Sequence, residues 1–529
     1  MQLPVAFTEQ MRTLLGNAEW EAFCTALDMP PQVSLRPNIK SKFSPLEWRR
    51  HSEDFVNGRR SQTDANKSKS DAAMLKASRT AHRLSAKPVP ISKSSESEAA
   101  MLKASRTAHR LSAKPVPISK SSESEAATFE LSNFKSPVPW SSIGHYLSRR
   151  PEFIIDPAFH AGAYYVQEAS SMFVEQALRQ CGEPKLALDL CAAPGGKSTL
   201  LRSLLPDDAL LVCNEPVRSR ANILRENIIK WGHEGCMVTC NYPKDFVKLG
   251  AVFDLILVDA PCSGEGMFRK DNPAVEMWSP ANVEECARRQ RDILQTIWPA
   301  LQSGGYLIYS TCTYNTRENE ENVRFICETL GAEAVDIPID QGWNITGSLL
   351  KGFDKPVYRF MPHKTRGEGF FLALLRKNGE PKNIAVKKAQ TTKPLPKEYI
   401  DILQTDRMAT IDTPEVLYAV SAAPAPIVEH LLKTLYPLHM GVALCERKGK
   451  KLIPHHSLAM SRLLSKDAYP RAELSLQDAL EYLRHEAIRI DAPKGYVIVS
   501  YSGFPLGFVN NLGSRANNLY PAELRIRKR

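Results

Sequence analysis

Residues 188–200 read LDLCAAPGGKSTL, and the fold of the chain turns on how that stretch is read. Its Gly196-Lys197-Ser198 mimics the end of a nucleotide hydrolase's phosphate loop. That pattern also needs a glycine five residues before Gly196, so that successive backbone N–H groups can wrap an anion. Position 191 is Cys191. A side chain there opposes the positive-φ backbone that such a curl requires, and the phosphate-loop reading fails. What is left is an apolar strand running into a loop of small residues: Cys191, Ala192, Ala193, Pro194, Gly195, Gly196 and Lys197. Small side chains let a ligand approach the backbone closely, and the helix that follows offers free N–H groups to a carboxylate.

The same rhythm continues over 185–377. Apolar runs LALDLCA, ALLVCNE, CMVTC, FDLILVDA and YLIYST are separated by helical segments such as RSRANILRENIIKW and CARRQRDILQTIWPAL. Near-continuous apolar strands alternating with helices predict an α/β domain, a doubly wound (Rossmann-like) parallel sheet covered on both faces. Ligands of such sheets sit beyond the carboxyl ends of the strands. After strand two stands Glu215, about 20 residues on from the glycines, where an acid accepts hydrogen bonds from a ribose. With no GxGxxG present, the combination suits S-adenosylmethionine better than a nicotinamide dinucleotide. After strand four comes DAPCSGEGMFRKD, and after strand five STCTYNTRENEEN. Neighbouring strands lie only about 4.8 Å apart, so Cys262 and Cys312 are expected to share a pocket, with Asp259 beside them. A cysteine thiol titrates near about 8.5 and is a strong nucleophile once deprotonated.

At 529 residues the chain is too long for one core. It has no apolar run of about 18 residues, and its N-terminus, MQLPVAFTEQMRTLLG, lacks a secretory pattern; a cytoplasmic protein is expected. Eleven scattered cysteines without a CxxC pair argue against a disulfide framework and against a zinc site, and no metal is expected. The net charge is +11, but residues 72–98 recur letter for letter at 99–125, and the two copies carry +6 of it. Overall basicity is therefore weak evidence for nucleic acid.

The polar repeat sits in a stretch, 41–133, with little to bury, read as a disordered insertion. It divides a small α+β N-terminal module into 1–40 and 134–184. Within that module, TEQMRTLLGNAEWEAFCTAL reads as one amphipathic helix, VSLRPNIK as a strand, and a helix is expected to start near Glu168. Residues 378–397 read as a linker, and 398–529 as a β-rich C-terminal domain with a hairpin turned at Ser502-Gly503.

DLCAAPGGKST, LVDAPCSGEGMFRKD, YSTCTYNTRENEENV and HKTRGEGFF, in this order, resemble the Sun-type RNA cytosine-5 methyltransferases. The chain is most similar to the bacterial members that modify 16S ribosomal RNA, because YYVQEASSMF, GEGMFRKD and the C-terminal stretch, which resembles a PUA-like RNA-binding domain, match as well. The resemblance covers everything except 41–133. It implies Cys312 as the nucleophile at C6 of cytosine, Cys262 as the residue that helps release product, and Asp259 as the contact to N3 and part of the cofactor site. It implies that the 191–197 loop and Glu215 hold S-adenosylmethionine. Arg36 and Asn38 in SLRPN correspond to the family's RNA-contacting segment, and Arg269 and Lys270 in FRKD are candidates for holding the opened strand. The family's acid after strand three is replaced by Tyr242, with Asn241 left to supply the polar contact. The implied partner is ribosomal RNA, naked or within the small ribosomal subunit, bound by a monomer. A tRNA or 23S rRNA target, a DNA cytosine methyltransferase and a non-catalytic ribosome assembly factor are the alternatives.

The chemistry gives two cysteines a purpose. Cytosine C5 is a poor nucleophile, and a thiolate added at C6 turns it into an enamine-like one; a proton must then leave C5 before the thiol is eliminated. Deleting residues 72–125 is expected to leave the melting temperature and methyl transfer nearly unchanged, since a polar repeat adds little core. A selective loss of RNA affinity, steepest at low salt, would instead assign the repeat a role as a basic arm.

Overall fold

The computed structural model describes residues 2–40, 134–380 and 392–527. The 41–133 insertion with its tandem repeat, and most of the 378–397 linker, lie outside the described residues.

The central sheet is built from β1 (Leu186–Asp189), β2 (Leu210–Asn214), β3 (Cys236–Thr239), β4 (Phe253–Asp259), β5 (Leu301–Thr311), β6 (Ala332–Val335), β7 (Tyr358–Phe360), β8 (Phe370–Lys377) and β9 (Pro437–Met440). Its order is β6-β8-β5-β4-β1-β2-β3-β9, with β7 on β8. The five expected strands, β5-β4-β1-β2-β3, are mutually parallel. Successive residues serve opposite faces: Leu188, Val212, Ile256 and Leu307 join one buried cluster, while Ala187, Leu211, Leu257 and Ile308 join the other. Burial on both faces explains why these strands read as continuous apolar runs. The chain leaves β1 for β2 and β3 on one side and returns to β4 on the other, so the switch point lies between β1 and β4.

The sheet extends beyond that parallel core. The FFLALLRK run after the GEG sequence forms β8, antiparallel to β5. Four residues from the stretch assigned to the C-terminal domain form β9, antiparallel to β3. The chain then turns at Gly441, with φ of 52°, straight into strand Val442–Lys448 of a separate five-stranded sheet. A Cβ at Gly441 would lie 2.0 Å from the Ala419 carbonyl oxygen.

The N-terminal segment is two helices, not one. Gly16, at φ of 78°, interrupts the amphipathic pattern and separates Val5–Leu15 from Asn17–Asp28. The resulting hairpin presses Phe7 against Phe268 and Trp278, with ring centroids 5.0 and 5.4 Å apart, and Phe23 against Tyr314 at 5.0 Å. Ser34–Pro37 pairs with His145–Leu147 and Tyr164–Val166, so the two halves on either side of the insertion share one four-stranded sheet. The helix expected near Glu168 opens as a 3-10 turn at Ser170–Phe173 before Val174–Arg179. At the C-terminal end, Gly495–Tyr501 and Phe504–Asn511 form the expected hairpin; Ser502 and Gly503 have φ of 48° and 80°, the double left-handed turn that suits strand twist. This sheet shares a core with the N-terminal module, Val497, Val499 and Leu506 packing with Leu35, Leu147 and Tyr164.

Replacing Gly441 with Ala combines a left-handed backbone with a backbone clash, and is expected to destabilise the protein by more than about 1 kcal/mol. A denaturant midpoint indistinguishable from that of the unsubstituted protein would refute the strained crossing.

Candidate active site

The loop after β1 is tied down from three sides. Arg220 Nη2 donates to the Ala193 carbonyl at 3.2 Å and Asn227 Nδ2 to that of Pro194 at 2.8 Å. Gly195, at φ of 114°, caps the helix Gly196–Leu204. From below, Arg36 donates from Nη2 to the Gly196 carbonyl at 2.7 Å and from Nε to Gln167 Oε1 at 2.5 Å, bonds Thr199, and lies against the rings of Trp231 and Tyr165.

Arg36 is thus 0% exposed and Asn38 4% exposed. Both differ from their expected role at an RNA surface. Asn38 Nδ2 donates to the carbonyls of Gly162 at 3.1 Å and Trp231 at 3.0 Å. Both are internal brackets, and neither presents its polar atoms to a ligand outside. Arg269 is a third case: its side chain is 5% exposed, pairs with Glu368 at 2.8 Å, and donates to the carbonyls of Ala26 at 3.0 Å and Gly367 at 2.6 Å. It ties the N-terminal hairpin to the loop after Cys262. Lys270 reaches the same Glu368 at 3.2 Å and remains partly exposed.

Glu215 is buried at the end of β2, accepts from the Val217 N–H at 3.0 Å, and has Arg220 at 3.3 Å. Burial pushes its carboxyl upward, against the pull of Arg220. Asp189, at the end of β1, accepts from Ser198 Oγ at 2.7 Å on one oxygen, and its other oxygen has no partner. Burial pushes Asp189 up to about 7. Two under-filled acceptors around a loop of small residues and a helix N-terminus suit a ligand carrying hydroxyls, an ammonium and a carboxylate. S-adenosylmethionine carries all three, so the residues present fit it. Asp189 was missed among the candidates, although an acid closing an apolar strand was there to be seen.

Asn241 does not fit its expected contact with the adenine. Its Oδ1 accepts from the Tyr436 N–H at 2.8 Å and its Nδ2 donates to Asp245 Oδ2 at 3.3 Å. The oxygen joins the loop after β3 to the segment that enters β9, and the nitrogen braces the loop itself.

The two cysteines do meet. Cys262 Sγ and Cys312 Sγ lie 3.1 Å apart. Hydrogen bonding to Cys312, followed by burial, pushes the Cys262 thiol well above its usual range. Either sulfur can be the donor in that contact. Asp259 accepts from Ser310 Oγ on one oxygen and from Lys197 Nζ on the other, each at 2.8 Å. Burial opposes the charge on Lys197, but Asp259 and then Cys312 raise its pKa overall. Lys197, expected in the cofactor loop, thus points at the cysteine site and joins the two.

Close approach of the cysteine loops depends on Gly266. Its N–H donates to the Cys312 carbonyl at 2.8 Å, and a Cβ there would lie 2.6 Å from the Gly369 carbonyl oxygen. Two buried carboxylates complete the seam. Glu265 accepts from the N–H groups of Tyr314 and Asn315 at 2.7 and 2.9 Å, and Glu318 accepts from the Ser263 N–H at 3.0 Å and Gln290 Nε2 at 2.7 Å. Neither was among the residues singled out in the sequence, although both stand inside the motifs that carry the cysteines.

Paired thiols at a strand edge are superfluous for methylating an oxygen or an amine, whose electron pair is already available; they belong to chemistry at carbon. Fold and site together define an S-adenosylmethionine-dependent RNA cytosine-5 methyltransferase. Residues 177–376 match the family described as 16S rRNA methyltransferase RsmB/F, 469–526 the RsmF PUA domain, and 92–169 the N-terminal domain of 16S rRNA methyltransferase RsmF. A ribosomal RNA small subunit methyltransferase F of Erwinia tasmaniensis is 32% identical over 416 residues, which span 74% of this chain and 84% of that one. Its counterpart in Photobacterium profundum is 31% identical over 423 residues, 74% of this chain and 85% of that one. The solved structure of NSun6 from Pyrococcus horikoshii with SFG covers 71% of this chain and 99% of its own, at 21% identity and a TM-score of 0.48. The chain belongs to the RsmB/F family of 16S rRNA methyltransferases.

Calorimetry is expected to show binding of S-adenosylmethionine and none of ATP. Glu215→Ala, which removes a charged acceptor, should weaken S-adenosylmethionine binding about tenfold or more; unchanged affinity would remove Glu215 from the site.

Proposed function

We propose that this chain methylates C5 of one cytosine in 16S ribosomal RNA, with Cys312 as the attacking residue and Cys262 as the residue of release. The observation that carries the reading is the 3.1 Å contact between the two sulfurs, and which of them attacks follows the motifs that hold them, STCTY for Cys312 and DAPCSG for Cys262. Sharing a family with small subunit methyltransferases F supports the choice of RNA. Among the described residues no helix is long and apolar enough to cross a membrane. A cytoplasmic place of work accords with an RNA substrate.

Cys312 adds through its sulfur to C6, and the C4–C5–C6 electrons shift towards N3. The Asp259–Lys197 pair faces that edge of the ring, holds it by hydrogen bonding and brings a proton to the nitrogen as charge develops. Such assistance is worth roughly 10²–10⁴-fold. S-adenosylmethionine, when bound, supplies the methyl group. Once the C5 proton has left to solvent, the C6–S bond breaks with Cys262 beside it, its electron pair returning to Cys312; the proton on N3 returns to the Asp259–Lys197 pair, and the ring is aromatic again.

Cys312→Ala is expected to form no covalent RNA adduct. Cys262→Ala should still add to the base and then stall, accumulating a protein–RNA species that survives a denaturing gel and vanishes in the double substitution. Trapped RNA with Cys312→Ala would reverse the two roles.

A further inference from the structure

The residue that follows each cysteine carries a hydroxyl, and the two hydroxyls meet beneath the site. Ser263 Oγ and Thr313 Oγ1 are 3.1 Å apart. Beyond them the chain of contacts continues in both directions, from Ser263 Oγ to Glu318 Oε1 and from Thr313 Oγ1 to Glu265 Oε2. Three oxygen–oxygen links therefore run in series, Glu318 to Ser263 to Thr313 to Glu265, all buried. Each link needs a hydrogen, since two oxygens at that separation repel without one. The two hydroxyls supply two hydrogens. Asn315 Nδ2 also donates to this group, to Thr313 Oγ1 and Glu318 Oε1 at 2.8 Å each and to Glu265 Oε1 at 3.0 Å, but its hydrogens lie outside the three oxygen–oxygen links; the third hydrogen of the chain itself comes from a carboxylic acid at one end.

We infer that Glu265 and Glu318 share one proton through Ser263 and Thr313, and that this buried wire is a positioning device setting the charge beneath the two active-site thiols. Two carboxylates joined in this way do not both ionise readily in a buried site, and the pair titrates as a unit. Burial, followed by the charge of Glu265, pushes Glu318 up to about 7, which puts the loss of the shared proton close to neutral pH.

The other titratable groups around the pair are Cys262 and Cys312 on the two loops, Tyr309 on β5, Tyr314 next to Thr313, and Cys286 on the helix Pro280–Ile297. Among the described residues no Lys, Arg or His bonds either carboxylate; Lys197 is engaged with Asp259 and Arg359 with Glu320. Nothing cationic cancels the second negative charge when the proton leaves. Below that transition the wire holds one charge and three links. Above it, the added charge opposes ionisation of the neighbouring thiols, and one link is lost.

The wire can be read without RNA, so its failure is separable from failure of the cytosine assignment on which its role rests. In difference infrared spectra of the full chain between about pH 6 and about pH 9, protonated carboxyl stretches of Asp189 and of the wire should disappear on raising the pH, and Glu318→Gln should keep the first and lack the second. The amide of that variant donates to Ser263 as the acid does but gives up the bond that Glu318 Oε1 accepts from Asn315 Nδ2 at 2.8 Å, so its melting temperature is measured beside the spectra. Alkylation of Cys312 by iodoacetamide should match the unsubstituted protein below about pH 7 and run roughly tenfold faster above it, because the opposing charge never forms. Methyl transfer should lose the corresponding limb from its pH profile. Should Glu318→Gln fold poorly, Ser263→Ala removes the middle of the wire and leaves both acids, and the wire's infrared band should move. No carboxyl band beyond that of Asp189, a second band untouched by either variant, or equal alkylation at high pH would overturn the inference.

Discussion

The active edge depends on two loops, one after β4 and one after β5, being held close enough for two sulfurs to touch. Adjacent parallel strands bring the loops near each other, but strand spacing alone exceeds a sulfur contact. The seam supplies the remainder. Gly266 lets the backbones close, its N–H meets the Cys312 carbonyl, and Glu265 and Glu318 each gather donors from the opposite loop. Hydrogen bonds to charged groups are worth about 1.5–3 kcal/mol each, and a buried carboxylate stripped of them is destabilising by more. These acids therefore act as staples: once buried, they tolerate few arrangements other than the one that fills their lone pairs.

The seam is also where distant parts of the chain converge. Trp278 Nε1 donates to Glu265 at 2.9 Å, and Trp278 packs on Phe7 of the N-terminal hairpin. Arg359 on β7 pairs with Glu320 and donates to the Tyr314 carbonyl at 2.6 Å. The cofactor loop has a matching brace in Arg36, a guanidinium wholly enclosed between Gln167, Gly196, Thr199 and two aromatic rings. Removing one partner from such a buried charge is strongly destabilising. The N-terminal module is thereby part of the catalytic architecture, because one of its strands holds the floor of the cofactor loop.

How much of this could be read in the sequence follows from which signals are local. The five parallel strands were legible because burial on both faces writes itself as apolar runs, and the hairpin at Ser502-Gly503 because two left-handed residues need those side chains. The cysteine pair was legible because both thiols follow strands at one sheet edge. Arg36, Asn38 and Arg269 misled for the opposite reason. A charged or amide side chain belongs by default on the surface, and only the three-dimensional count of its partners reveals an internal bracket. Glu318, in the run RENEEN, and Glu265, between two glycines, were hidden in the same way. Gly16 was legible in principle, since a glycine inside a helical pattern is a candidate break, but two amphipathic halves in register disguised it.

Strand β9 shows the limit most clearly. Four residues, PLHM, carry no periodicity, and their partner β3 lies some two hundred positions earlier in the chain. Nothing local distinguishes them from a loop. What recruits them is the unpaired edge of β3, a row of backbone groups that must be covered or paired, and Asn241, whose amide receives the incoming Tyr436 N–H. An amide read as a cofactor contact is thus the anchor of an interdomain strand. The C-terminal half of the chain is in this way hydrogen-bonded to the edge of the sheet whose strand ends form the cofactor site, and a movement of one cannot leave the other where it was.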